Sequence, residues 1–444
     1  MSQVLKQVEK IVVPSPKLQK EKDELVSRVL GLVEKQASSH VEIVGVELGG
    51  SFAKGTWLPQ RADVDIFIRF KTTVQEKEFA EIGKKIGFAA LSSYRPYVRY
   101  AEHPFVEAQI GDTKINVVPC YDVEEGMWKS SADRSPFHTR FMRKSLDEKM
   151  RNEVRILKWF LKCNGIYGAE IAMQGFSGYV SEVLVLNFGT FDGVIRAVAQ
   201  LKQGQVIGNA GKKFETPVVI MDPVDPNRNL GAAISTENLG RFVLASRAFL
   251  RKQSMLFFTE KRKKPAQRSS YRNVLVVSFK YKKRSPDIIW GQLKRAATSV
   301  ATQIDQEGFS VLRKSAVISD DGTASLLFML QTLTLDENQL RVGPDFFVAD
   351  HVDKFVAANR KKSSVMWVND DGKICFLQKR THTDAKTFLG ELLRKNLKSA
   401  GISVGLHDDM KRITITRGDM ATGKSIKEAI VELVSTDEAI FSSS

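Results

Sequence analysis

The 444-residue sequence has little cysteine: Cys120, Cys163 and Cys375 lie far apart, three in number, with no CxxC pair among them. That usage argues against a disulfide framework or a structural zinc site and fits a reducing cytoplasm. Long apolar runs are missing too: no stretch of about 18 apolar residues occurs, so no membrane span is expected. The N-terminus, MSQVLKQVEKIVVPSPKLQKEKDEL, is charged too early and too often for a secretory signal. Acids are in the minority, 51 Asp+Glu against 67 Lys+Arg, for a formal charge of +16. A surface that positive favours polyanions, because neutralising phosphates releases their counterions. What is present in quantity is apolar: 43% hydrophobic residues in a chain long enough for about three domains. No internal repeat or low-complexity tract appears.

The pattern along the chain predicts a helix over 22–37, a strand at VEIVGVEL (41–48), and a break at Gly49-Gly50-Ser51 where a short helix starts. DVDIFIRF (63–70) alternates and reads as the next strand, followed by a helix over about 75–91. VEAQIGDTKINVVPC reads as a hairpin, with Gly111-Asp112 turning between strands 105–110 and 113–118. From about 146 to 260 the pattern is mostly helical; in LDEKMRNEVRILKWFLKC, apolar positions 150, 154, 157 and 161 form one helix face. The segment 261–284 holds Lys261, Arg262, Lys263, Lys264 and six further basic residues with no acid, around a strand at NVLVVSF (273–279). A long helix over 287–306 and strands near 309–317 and 323–333 complete a β-α-β-β order, which suggests a ferredoxin-like or RNA-recognition-like unit.

The chemistry centres on Asp63-Val64-Asp65. Residues i and i+2 of a strand face the same way, so the two carboxylates project together while Val64, Ile66 and Ile68 face the core. Neighbouring carboxylates repel and raise each other's pKa unless a cation lies between them. A divalent metal is the obvious cation, since Mg²⁺ takes one or two carboxylates plus substrate phosphates. Two surface aspartates on a solvated edge strand would look the same. The Gly-Ser turn, separated from Asp63 by eleven residues, tips the balance, because backbone N–H groups and a hydroxyl at a helix start suit a triphosphate.

At this point the sequence resembles a known family. GGSFAKGTWLPQRADVDIFIRF looks like the catalytic signature of the archaeal-type (class I) tRNA CCA-adding nucleotidyltransferases, within the polymerase β-like superfamily. The similarity continues through RYAEHPFVEAQ, VVPCY, DRSPFH, EVRILKWFLKCNGIYGAE, GFSGY and DPVDPNRN, over about residues 22 to 250. The resemblance implies an α/β (α+β) chain. Its parts would be a polymerase β-like head with a mixed sheet (1–145), a helical central domain (146–260), and a basic ferredoxin/RRM-like RNA-binding region (261–444) with a tail inserted at about 300–380. It implies that Asp63 and Asp65 hold two Mg²⁺ ions for attack of the tRNA 3′ hydroxyl on the α-phosphate of CTP or ATP. Gly50, Ser51 and Lys54 would contact the triphosphate. His138, Lys158 and Tyr167 match positions that bind phosphate or ribose, and Arg228 with Asp225 matches the region reading the C or A base. The C-terminal part would grip the acceptor stem and TΨC arm by backbone shape. A cytoplasmic location follows, and homodimers are compatible with the family.

One position departs. The family's third aspartate, just before VVPCY, is Asn116 here. Asparagine keeps the shape but loses a charge, and its single carbonyl oxygen is a weaker ligand for a hard cation. Asp112, in the turn, is a poor substitute. Three readings stand: an engineered inactivation, which the isosteric exchange favours; a natural, catalytically reduced relative; or a site completed by another residue such as Glu107. The functional alternatives are a poly(A)- or oligoadenylate-type transferase and a non-catalytic tRNA-binding relative. A second motif, Gly418-Asp419-Met420-Ala421-Thr422-Gly423-Lys424-Ser425, fits the P-loop pattern after a strand at 412–416. Only 19 residues follow Ser425, too few for the further parallel strands that such a site needs, so it is expected to be non-functional.

Overall fold

The computed structural model describes residues 2–60, 62–100, 103–260 and 268–441. Of the basic stretch, Lys261, Arg262, Lys263 and Lys264 lie outside the described residues. The chain forms two compact units. The first comprises the chain up to residue 260 with 285–287 and 436–441; the second comprises 268–284 and 288–435.

The first unit opens with helices α1 (Gln3–Val12) and α2 (Pro16–Ala37). Ser15 caps α2 by accepting from the Leu18 N–H, and Pro16 occupies a first-turn position where its missing N–H costs nothing. Strand β1 (Ile43–Gly49), the single-turn α3 (Gly50–Ala53), β2 (Ala62–Phe70) and α4 (Glu76–Ala90) follow. Then come β3 (Tyr97–Arg99), β4 (Phe105–Ile110) and β5 (Thr113–Tyr121). Five strands lie in the order β1-β2-β5-β4-β3, with β2 and β5 parallel and every other pair antiparallel. Alternation in β2 buries Val64, Ile66 and Ile68 against Val26, Val29 and Val33 of α2 and Phe79 and Ile86 of α4. A register slip of one residue would turn that apolar set outward, so the core pins Asp63 and Asp65 to the opposite face.

The helices α5 (Arg134–Ser145), α6 (Glu148–Cys163), α7 (Gly178–Phe188) and α8 (Phe191–Ala199) complete the unit with a two-stranded parallel ladder, β6 (Gln205–Ile207) and β7 (Val218–Ile220), and α9 (Thr236–Arg251). Phe160, Phe191, Phe242, Phe249, Phe257 and Phe258 pack in one aromatic core. The single apolar stripe expected for α6 is too narrow. Every residue from Val154 to Leu161 is buried, Arg155 and Lys158 included, because the helix is covered on all sides. Periodicity could not show this, since two of the buried positions are cationic.

In the second unit, β8 (Val274–Lys280), α10 (Pro286–Glu307), β9 (Val311–Ile318) and β10 (Thr323–Leu330) realise the expected β-α-β-β order. After β10 come β11 (Asn338–Asp345), α11 (Ala349–Asn359), β12 (Ser363–Val368) and β13 (Lys373–Lys379), whose strands form their own sheet in the order β11-β13-β12. The chain returns through α12 (Ala385–Lys395), the single-turn α13 (Val404–His407), β14 (Thr414–Arg417) and α14 (Lys424–Val434). The main sheet, β14-β8-β10-β9, is wholly antiparallel, the strand order of a ferredoxin-like fold. One face packs on α10 and α12. The other, which an RNA-recognition module leaves open for stacking bases, is covered by Ile426, Ile430 and Leu433 of α14 against Val274, Val276 and Leu327.

Among the described residues no helix is long and apolar enough to cross a membrane. The P-loop-like segment follows a strand with an antiparallel neighbour, and its Gly418 lies against the Tyr271 carbonyl and Val274, where a Cβ would sit 2.7 Å from that carbonyl. Its glycines serve a tight turn into α14.

Candidate active site

A row of side chains crosses the sheet of the first unit on the face away from α2 and α4. Asp65 stands opposite Gly49 on β1 and Asn116 on β5; Asn116 stands opposite Glu107 on β4, and Glu107 opposite Tyr97 on β3. Two residues along on the same face, Asp63 stands opposite Lys114. The Asn116 amide donates to Asp65 Oδ1 at 2.8 Å, while Asn116 Oδ1 is buried with no hydrogen-bond partner. Burial holds the Asp65 carboxyl above its ordinary pKa; the Asn116 hydrogen bond opposes this, and the neighbouring Asp63 adds to it. Lys54 and Lys114 act in the same direction as Asn116, and burial outweighs them.

Gly50 explains how the Gly-Ser turn reaches this row. Its φ is +66°, and a Cβ there would lie 1.9 Å from Asp65 Oδ2. Only glycine allows both that backbone conformation and the close approach. Ser51 follows in the same turn, half-buried.

Glu107 is buried but committed elsewhere. It accepts from the Tyr97 hydroxyl, lies 3.4 Å from Arg99 Nε and 3.9 Å from Lys114 Nζ. Asp112 is bonded to Lys22, away from the row. Among the described residues no group of three or more His, Cys, Asp or Glu side chains is arranged to hold a metal ion. The residues do fit a cation in a more limited way. Two carboxylates stand side by side on β2, one with a raised pKa, and an orphaned amide oxygen lies beside them.

The remaining predicted residues gather around two other carboxylates, neither of which was singled out from the sequence. The first is Glu182 on α7. Its Oε2 accepts from Lys54 Nζ at 2.6 Å, and its Oε1 from Thr56 Oγ1 at 2.6 Å and Lys158 Nζ at 3.1 Å. Lys158 also donates to Thr56 O and Thr56 Oγ1 at 3.1 and 3.0 Å. Burial alone would raise the Glu182 pKa, but Lys54 and Lys158 overcome it and hold the carboxyl at about 2. Burial draws Lys158 down to about 8 against the pull of Glu182.

The second is Asp222, just after β7. It accepts from Tyr179 Oη at 2.9 Å, from Arg228 Nη1 at 3.2 Å and from the Val224 N–H at 3.0 Å, and it lies 2.9 Å from His138 Nε2. His138 stacks on Tyr179 with ring centroids 3.9 Å apart. Burial opposes the Asp222 charge, yet the His138 contact and the other donors bring its carboxyl to about 2. Burial lowers the His138 pKa against the pull of Asp222. Arg228 and Asp225, named together from the sequence, meet through the backbone, Arg228 N–H to Asp225 O at 2.9 Å. The Arg228 side chain goes to Asp222, and Asp225 takes Arg134 at 2.9 Å. Tyr167 lies beside Lys158: a Cβ on Gly178 would be 3.0 Å from the Tyr167 hydroxyl and 3.3 Å from Lys158 Cε. The two clusters meet through Lys54, whose ammonium lies 5.3 Å from the Tyr179 ring centroid.

Three family models match the chain in succession: a nucleotidyltransferase domain over residues 30–141, the second domain of tRNA nucleotidyltransferase over 152–259, and the C-terminal domain of CCA-adding enzyme over 271–418. The CCA-adding enzyme of Sulfurisphaera tokodaii is 36% identical over 355 residues, covering 79% of this chain and 83% of the relative. That of Pyrobaculum islandicum is 31% identical over 408 residues, covering 88% and 94%. Among solved structures, the Cid1 poly(U) polymerase is similar at 15% identity with a TM-score of 0.44, over 58% of this chain and 98% of that one.

Proposed function

The chain belongs to the CCA-adding enzyme family, and from that premise we propose that it extends tRNA 3′ ends with C, C and A from CTP and ATP without a template. The observation that carries the reading is the row on β2 and β5, with two aligned carboxylates beside a helix start whose Gly50 admits Asp65 to the backbone. Nucleotidyltransferases use divalent metal. Asp63 and Asp65 would hold it as Mg²⁺, two ions in the full arrangement, and it would supply charge neutralisation at the transferred phosphate and activation of the attacking hydroxyl.

The protein's own groups bind and orient. Gly50 and Ser51 present the α3 turn to the triphosphate. Lys54, Lys158 and Tyr167 line its flank, and His138, held on Asp222 and stacked on Tyr179, offers a ring nitrogen. Arg228, half exposed and tethered to Asp222, keeps guanidinium donors for the base. The second unit, basic and with its sheet covered on both faces, holds the acceptor stem and TΨC arm through phosphate contacts instead of base stacking.

Asn116 sets the rate. Its amide donates to Asp65, where a third carboxylate would add charge, and Glu107 is engaged by Tyr97, Arg99 and Lys114. Nucleotide binding persists while the chemical step is slow. The test is incorporation of labelled CTP and ATP into tRNA lacking its terminal CCA, for the chain and for Asn116→Asp. Addition of C, C, A followed by arrest supports the reading; unlimited addition points to a poly(A)-type transferase. Binding of tRNA with no addition by either protein makes the chain a non-catalytic relative.

A further inference from the structure

Glu182 has no counterpart among the groups that touch the nucleotide in the reading above, yet it is a fully buried carboxylate bonded to two lysines at once. Its side chain is 0% exposed, and its partners come from different places: Lys54 and Thr56 from the segment after β1, Lys158 from α6. Lys158 has three N–H donors, and the structure uses each of them, on Thr56 O, Thr56 Oγ1 and Glu182 Oε1. Lys54 gives one to Glu182 Oε2 and faces the Tyr179 ring. Two ammonium groups this deep would repel each other without an anion between them.

We propose that Glu182 is a positioning residue for the incoming nucleotide: its two oxygens hold Lys54 and Lys158 together as a single cationic pair whose charge attracts the triphosphate. This rests on the reading that those lysines take the triphosphate. The geometry explains why a carboxylate is needed. Oε2 accepts from one ammonium and Oε1 from the other, with Thr56 closing a ring between Oε1 and Lys158. A glutamine would turn one end into a donor and set it against a lysine or the Thr56 hydroxyl. The charged groups facing Lys158 are Glu182, Lys54 and Arg155, and of these only Glu182 favours its protonated form. Loss of Glu182 therefore releases the Lys158 proton at a lower pH, and with it one charge that attracts phosphate.

The experiment is calorimetric binding of CTP with Mg²⁺ to the full chain, without tRNA, from about pH 7 to about pH 9, above the titration of the nucleotide itself. Because turnover is not the readout, Asn116 does not interfere. The unaltered protein is expected to lose affinity as pH rises through about 8. Glu182→Gln is expected to bind about tenfold or more weakly at neutral pH, the scale of one lost charge-assisted contact, with its pH fall displaced downward. A Glu182→Gln profile that coincides with the unaltered one overturns the proposal, as does uniform weakening at every pH, the mark of a purely structural role. Lys54→Met and Lys158→Met controls that bind CTP as the unaltered protein does refute the parent reading and take this one with it. Should Glu182→Gln fail to fold, the unaltered chain decides against Lys158→Met: a flat profile, or a fall that persists in Lys158→Met, overturns the proposal.

Discussion

Two sets of buried carboxylates lie within the first unit, and their surroundings treat them in opposite ways. Asp65, on the row across β2 and β5, is pushed toward its protonated form by burial and by Asp63, and it accepts from the neutral amide of Asn116. Glu182 and Asp222 are at least as deeply placed, yet each is ringed by donors and held at about 2. Burial raises a carboxyl pKa in both settings; the number of cations and N–H or O–H donors within bonding distance decides the outcome. The contrast separates a site left open for an incoming charge from two anchors that complete themselves within the fold. Asn116 accentuates it, because an amide at that position leaves the row one carboxylate short of the three that the family resemblance implies.

The largest expected effect comes from changing the open side. Asn116→Asp adds a carboxylate next to Asp65 without altering shape, and restoring about 3–4 kcal/mol of transition-state stabilisation raises the rate a few hundred-fold or more. Single-turnover incorporation of CTP with saturating tRNA measures it, and the CTP dissociation constant is expected to change far less. An unchanged rate would mean that a group outside Asp63, Asp65 and position 116 completes the site.

The same isosteric exchange should have opposite signs in the two regions. Asp222→Asn sets an amide against donors from Tyr179, Arg228 and the Val224 N–H, and is expected to destabilise the fold by about 2–3 kcal/mol. Asp65→Asn can still accept from Asn116 while relieving repulsion with Asp63, so the fold should hold or gain about 1 kcal/mol as metal-dependent CTP binding is lost. Urea unfolding of both variants measures the difference, and equal destabilisation would erase the distinction between open row and closed anchor.

A smaller effect follows from pH. Asp222 and Glu182 have folded-state pKa values depressed to about 2, so their stabilisation is fully present above about pH 5 and is lost as pH falls toward 2. Asp222 contributes about 2 kcal/mol over that interval and Glu182 about 3 kcal/mol, set by the distance between folded and ordinary carboxyl values. The urea midpoint should fall accordingly in acid, and the fall should be shallower in Asp222→Asn. A midpoint independent of pH between 5 and 2 would show that these anchors are not ionised in the folded protein.

The two regions also differ in how far they could be read from the sequence. Asp63 and Asp65 were legible because a strand has a period of two and its apolar residues fix which face the others occupy. The ferredoxin-like order was legible from alternating strand and helix patterns, though the covering of its second face by α14 was not. Glu182 sits in GYVSEVLVLNF, where a lone acid on an apolar helix reads as a solvated position. Its partners Thr56 and Lys158 are 126 and 24 residues away. Asp222 opens the quoted DPVDPNRN segment, but attention to Asp225 beside Arg228 in sequence missed that the arginine reaches across the turn to Asp222. Pairings of this kind depend on which helices meet, and no local period carries that information.

The smallest expected effect concerns Lys424, in the segment expected to be non-functional. Lys424 follows Gly423 in a local P-loop-like pattern, whereas Lys54 and Lys158 are pointed to phosphate by the family resemblance. Lys424 is exposed at the start of α14, after a strand whose neighbour is antiparallel, and the glycines before it serve the turn. Lys54 and Lys158 are buried on Glu182. A phosphate site needs donors converging from several elements, with the lysine held among them. Lys424→Ala should therefore leave CTP and ATP affinity unchanged and stability within about 0.5 kcal/mol, as for an isolated surface position. Lys54→Ala should weaken both nucleotides by tenfold or more, at about 1.5–3 kcal/mol for a lost charged contact. If ATP binding instead fell with Lys424→Ala and not with Lys54→Ala, the nucleotide site would lie in the second unit, and the contrast between open row and closed anchors would describe packing alone.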